Sequence, residues 1–433
     1  MKLKRLAKVL VERRLLKFWL AALIIPVAGP LHAQEASREG VQFEHKAGYS
    51  ELPLFGGPNS ALGQLEENDR VRKPAIRTPA LDPVRESWFD WKKQLSEKYG
   101  IEFSGHYAAL YTAVDESLTG EDEAFGGAYR FVGSWTLIGK GEPNNGRIAT
   151  VLDHRHAYTD TTPGAFGGQV GYLGIPGGLF GDIDFAVVSL DWQQRFNDGE
   201  AMILVGRYTQ DDYQNIFALS PWSSFNNLNI VLDPSMFLPE PSWGIGAGSW
   251  VGEQWYGLAG IKDANGTIDD DLELFSDGEE FSSFGEIGWS PARDQRYFKN
   301  VRATAWHIDA RSDAEQPDSS YGIAAAGNWT LDNKMFPFVR AGWSEGDAPL
   351  FNRSFTAGLV YQVIKTDLIG LAVNWGDPAD SSLPDQTSTE LFWRIQLLDQ
   401  FDIAPSVQYL VDPALNPNEN EIWLFGTRLR LTY

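Results

Sequence analysis

The sequence predicts an all-β fold: a transmembrane antiparallel up-and-down β-barrel of about sixteen strands with a short N-terminal helix. Three observations carry this. The last eleven residues place Trp423, Phe425, Leu429 and Leu431 on one face and Arg428 and Arg430 on the other, and end on aromatic Tyr433. A period-two strand with one apolar and one charged face suits a wall between lipid and a wet lumen. Tight turns and long connections also alternate along the chain, as in bacterial outer-membrane meanders. Finally, the composition combines 43 Gly, 16 Trp, 15 Tyr and 25 Phe with no cysteine. Beyond the N-terminus no apolar run reaches the roughly 18 residues of a spanning helix.

In chain order, residues 1–33 hold seven Lys/Arg, an apolar stretch from Phe18 to Gly29 and a small residue at Ala33. This pattern reads as a secretory signal peptide. Residues 34–86, with Pro53, Gly56, Gly57, Pro58, Pro74 and Pro79, read as a Pro/Gly-rich periplasmic leader, extended or partly disordered. Trp88, Trp91 and Leu95 at helical spacing predict a short helix over 87–100 that either plugs the periplasmic mouth or caps the first strand. The barrel then fills residues 101–433.

Strand starts fall near residues 101, 129, 147, 183, 201, 243, 255, 281, 301, 321, 336, 355, 367, 389, 401 and 421. Tight turns sit at Asn197–Glu200, Val251–Gln254, Asp332–Lys334, Ile364–Thr366 and Asp399–Gln400, and longer connections lie between them. An even strand number near sixteen leaves a water-filled lumen, which favours a porin.

Charge narrows the function. Without residues 1–33 the chain keeps 29 basic against 57 acidic residues, about −28, which excludes nucleic acid as a partner. The missing cysteines exclude a disulfide framework and thiol chemistry.

Alternation assigns the lumen wall. Leu391, Trp393 and Ile395 outward put Glu390, Phe392, Arg394 and Gln396 inward; Val188, Leu190 and Trp192 outward put Asp191 and Arg195 inward. Met202, Leu204 and Tyr208 outward imply Arg207 inward, and Asp153 and Arg155 share a face with Arg147. Carboxylates and guanidiniums across a narrow passage suit neutral polyhydroxy solutes. The longest connection, 209–242, is too apolar for a solvated loop, so it is expected to fold inward and narrow the channel. There Trp222 and Phe225 would stack on sugar faces and Asn226 would bond hydroxyls.

Two metal signals fail. Asp263–Asp271 has glycine at the fourth position of a calcium-loop pattern instead of the sixth, and Leu274 where an acid belongs. His154 and His156 lack an evident third ligand. No metal, cofactor or catalytic set is expected, and no Gly-x-Ser-x-Gly supports a hydrolase.

WFDWKKQLSEKYGIEFSGHY (88–107), MILVGRY (202–208), GLAGIKDANG (257–266) and ENEIWLFGTRLRLTY (419–433) resemble the carbohydrate-selective porins of the OprB family. The resemblance implies a sixteen-stranded barrel passing glucose-like sugars by facilitated diffusion, with Arg and acidic residues, Arg207 foremost, at the constriction. The leader departs from that pattern, and Tyr433 stands where Phe is usual. The expected function is therefore a passive sugar channel in the bacterial outer membrane. A general diffusion porin is the alternative, and a barrel enzyme or adhesin is less supported. Expected partners are sugar solutes, outer-membrane lipid and the barrel-assembly machinery reading the C-terminal strand; a homo-oligomer is compatible with this layout.

Overall fold

Sixteen strands run β1 (Ile101–Val114), β2 (Glu123–Ile138), β3 (Gly146–Ala157), β4 (Ile183–Phe196), β5 (Ala201–Tyr208), β6 (Ser242–Val251), β7 (Trp255–Asp263) and β8 (Phe281–Trp289). They continue as β9 (Lys299–Ile308), β10 (Ser320–Trp329), β11 (Met335–Glu345), β12 (Phe351–Gln362), β13 (Leu368–Pro378), β14 (Gln386–Leu398), β15 (Phe401–Val411) and β16 (Glu421–Thr432). This is a computed structural model, and it describes residues 54–268, 272, 279–311, 318–364 and 366–433. The signal segment, leader residues 34–53 and most of the acidic stretch 269–278 lie outside the described residues.

Each strand pairs antiparallel with its sequence neighbours, and β1 pairs with β16 to close the barrel. Closure satisfies every strand edge, the condition for crossing a bilayer in β form. The last strand behaves as its period dictates: Phe425, Leu429 and Leu431 face outward, and Arg428 and Arg430 are wholly buried. β9 and β10 show the same alternation, with Arg302, Thr304 and Ala324 inside and Val301 and Ile323 outside. No described helix is long and apolar enough to cross a membrane, which says nothing against crossing by strands.

Residues 54–72 of the leader are not an extended segment outside the barrel but lie buried within it. Residues 61–68 form an eight-residue helix, α1 (Ala61–Asn68), capped by Ser60, and all eight are buried. Leu62 and Leu65 pack against Val132, Val151 and Val188 of the wall. Upstream, Phe55 lies among Met202, Leu204, Trp250 and Tyr256, and its carbonyl accepts from Arg296 Nη1 at 2.7 Å. Downstream, the chain leaves at the periplasmic rim, where Ala75 and Ile76 donate to the carbonyls of Gln396 and Leu397 at 2.8 and 2.9 Å.

The helix expected over 87–100 is longer: α2 (Asp82–Tyr99) starts earlier because Pro83 suits a first turn. It ends at Gly100, whose φ of 72° makes the left-handed stop. Trp88 and Trp91 pack edge-on to Phe103 of β1. Lys92 reaches inward to Asp69 at 2.6 Å.

Two inward and outward assignments are corrected. Met202, Leu204 and Tyr208 face inward and are buried, while Ile203 and Val205 are 37% and 48% exposed on the lipid side. Val188 also turns inward, because it has no partner where the β3–β4 register slips between Val151 and Leu152. In both places leader residues supply an apolar surface for the wall to cover.

Gly206 explains part of the local geometry. Its φ is 148°, and a Cβ there would lie 2.4 Å from Leu190 O and 2.5 Å from Asp191 Cα, both backbone atoms of β4. Gly206→Val should therefore weaken the β4–β5 pairing by about 1–3 kcal/mol. The check is the temperature at which the compact barrel band converts to the unfolded band on an SDS gel. An unaltered conversion temperature would refute the close approach.

Candidate functional site

The inward faces of β2 and β3 build an ion cluster directly across one register pair, Arg130↔Asp153. Arg130 Nε and Nη2 donate to Asp153 Oδ1 and Oδ2, both at 2.6 Å. Arg155, two residues along the same face, donates from Nε and Nη2 to Asp153 Oδ2 at 3.0 and 2.7 Å. One carboxylate thus orients two guanidiniums, a bidentate geometry of high directional specificity.

The β5–β6 connection, residues 209–241, folds into the lumen above this cluster. The Trp222 ring lies 4.8 Å from the Arg130 guanidinium and 6.0 Å from that of Arg155, and packs against His106 and Phe180. The opposite wall ties the connection down. Glu390 accepts from the backbone N–H groups of Asn226 and Asn227, each at 2.8 Å. Arg428 donates to Pro221 O, Ser224 O and Asn226 Oδ1 at 2.8–3.0 Å. Arg302 donates to Ile216 O, and Arg340 to Asn215 O and Val231 O. Glu286 accepts from Asn215 N at 2.6 Å. Charged wall residues thereby satisfy the backbone of an irregular segment that would otherwise be left with orphaned groups.

At the start of the connection, burial and then neighbouring Asp211 push the Asp212 carboxyl well above the usual carboxylate range, against the opposing field of Arg130. Lys262 on β7 donates to Tyr208 O and Glu240 O at 2.8 and 2.9 Å, fixing both ends of the connection.

Comparison with known proteins gives a family profile, "Carbohydrate-selective porin, OprB family", matching residues 180–433. The chain belongs to that family. A curated relative, Porin AaxA of Chlamydia felis, is 23% identical over 181 residues, 39% of this chain and 40% of the relative; the match thus spans about two fifths of the relative's length. The high-pH structure of Pseudomonas putida OprB superposes with a TM-score of 0.66 at 13% identity, covering 80% of this chain and 97% of that one, a likeness of fold. As an OprB-family barrel the protein resides in the bacterial outer membrane.

Within this OprB-family barrel the sequence-derived candidates separate. Asp153, Arg155 and Trp222 come together. Phe225 and Asn226 are near them in sequence to Trp222 but are wholly buried: Phe225 meets Phe392 edge-on at 4.8 Å, and Asn226 bonds Ser406 and Arg428. Trp222 is 1% exposed. These three side chains therefore anchor the connection, and the expected open stacking platform is corrected to a packed one. Asp191 accepts from Gln193, which also donates to Tyr213 at 3.2 Å. Arg195 is buried nearer the periplasmic end of β4. Arg207 shares strand parity with outward Ile203 and Val205. Arg207 is nonetheless buried: its Nε donates to Val187 O at 2.8 Å and its Nη2 to Thr267 O, tying β4 to the β7–β8 connection.

Sequence reading missed Arg130, whose strand starts at Glu123 and not Tyr129; the inward run Ala124, Gly126, Ala128, Arg130 was the available signal. His154 and His156, with rings 5.6 Å apart, lie on the outer face beside Tyr107 and Tyr158.

Proposed function

We propose that this barrel is a passive, carbohydrate-selective channel for glucose-like mono- or oligosaccharides, and not a catalyst. The observation that supports this reading best is the Arg130–Asp153–Arg155 cluster on the lumen face, over which an anchored connection folds. Guanidiniums already oriented by a carboxylate offer fixed N–H donors to hydroxyls, and the carboxylate keeps the local charge low enough that an anion is not preferred. Family membership agrees with a saccharide solute. The C-terminal strand ending in Tyr433 is the segment that the barrel-assembly machinery would read.

Liposome swelling tests the reading. Purified protein should admit glucose and a disaccharide faster than an amino acid of similar size. Entry ordered by size alone would reduce the function to general diffusion, and no sugar entry under conditions where ion current passes would remove the sugar reading. Arg155→Ala deletes one charge-assisted donor worth about 1.5 kcal/mol, roughly a tenfold loss of affinity. It should slow sugar entry and leave amino-acid entry nearly unchanged; equal slowing of both would make Arg155 a steric element only.

A further inference from the structure

Residues 54–72 cross the lumen from one wall to the other. Phe55 is seated against β5, β6 and β7, whereas α1 lies on β1, β2 and β3, about a quarter of the ring away, and Glu67 in its last turn reaches Arg394 of β14 at 3.7 Å, half the ring from β6. Near the start of the segment, Gly57 N donates to Asp212 O at 2.5 Å, so the leader touches the inward connection. Arg130 of the ion cluster also donates to leader Asn59 at 3.1 Å.

The attachment is mixed: Phe55, Leu62 and Leu65 pack on apolar wall residues, and polar contacts hold the end of α1. Asn68 Nδ2 donates to Ser104 Oγ at 3.1 Å, and Arg430 Nη2 donates to Asn68 Oδ1 at 2.6 Å. Glu67 lies within 4 Å of four guanidiniums, those of Arg70, Arg72, Arg394 and Arg430. Past Arg72 the chain exits at the periplasmic rim through Pro74 and Pro79, and α2 pins it there through Arg85 to Asp399 at 2.5 Å. The fastened rim and a seat that lends no strand to the closed barrel define a tethered segment that can leave without breaking the strand ladder.

We propose that residues 54–72 are a tethered plug that closes the pore from the periplasmic side, and that conduction requires its withdrawal. The wall face it covers, with Ser104, Arg394 and Arg430, then becomes lumen surface.

The absence of cysteine permits a direct lock. In Asn68→Cys/Ser104→Cys the two thiols stand on side chains already in contact. Oxidation should reduce single-channel ion current to background, and reduction should restore it. Current that is equal in both states, with the crosslink shown by gel mobility, would overturn the plug, as would failure of the pair to crosslink under oxidant. Gly63→Ala supplies the opposite perturbation without touching the wall. Its Cβ would meet Gly57 O at 2.2 Å, so the plug should seat poorly and open time should rise severalfold. An unchanged open time in a folded barrel would count against gating. Ion current reads the plug whatever solute the pore selects, so these outcomes are independent of the sugar reading.

Discussion

Replacing Asp153 with asparagine will turn the constriction toward anions. The substitution preserves shape but removes the charge that faces two guanidiniums and replaces an acceptor of their hydrogen bonds by a donor. Arg130 and Arg155 then carry an extra uncompensated positive charge into the passage. At about 5 Å in water one charge changes the energy of a passing ion by about 0.8 kcal/mol, roughly fourfold in relative permeability, and more where water is excluded. The reversal potential under a potassium chloride gradient should shift accordingly. Breaking a buried pair from one side also costs about 3–5 kcal/mol, so the yield of folded barrel should fall. Asp153→Asn/Arg155→Gln returns the net charge and should return the reversal potential. If Asp153→Asn leaves that potential where it was, the cluster does not face the ion path.

The barrel itself was legible because its determinants are local. Alternation in β14 and β16 correctly placed Glu390, Arg394, Arg428 and Arg430 inside, the period-two segments gave the strand number, and loop-length asymmetry gave the meander layout. Errors arose where the lumen is not wet. Met202 and Leu204 look like lipid-facing residues in isolation, yet they cover Phe55, so part of the interior obeys the rules of an apolar core. Their inward position depends on a segment about 150 residues earlier, which no period within β5 encodes. Val188 fails for the same reason, compounded by a register slip that one strand cannot announce. Phe225 and Asn226 were found as part of an inward connection, but their roles depend on Glu390, Phe392 and Arg428, long-range contacts that a linear reading cannot pair.

Glu390→Gln should widen the pore and blunt its discrimination. Glu390 sits beneath the inward connection and takes the adjacent N–H groups of Asn226 and Asn227 with its two oxygens. Glutamine retains one acceptor and sets an amide donor against the other N–H. Hydrogen bonds to a charged group contribute about 1.5–3 kcal/mol, and a buried donor left unsatisfied costs about 1–3 kcal/mol. That loss is borne by an irregular segment with no ladder of its own. The connection would still be held by Arg428 and by the Phe225–Phe392 contact, so it should loosen without detaching. Larger single-channel conductance and a smaller ratio of glucose to disaccharide entry are the expected readouts. Adding Arg428→Ala removes a second fastening on the same residues, and two mutations in one network should not act additively. Additive effects on conductance would mean that Glu390 and Arg428 restrain separate parts of the lumen; an unchanged conductance in Glu390→Gln would assign the hold to the aromatic contacts.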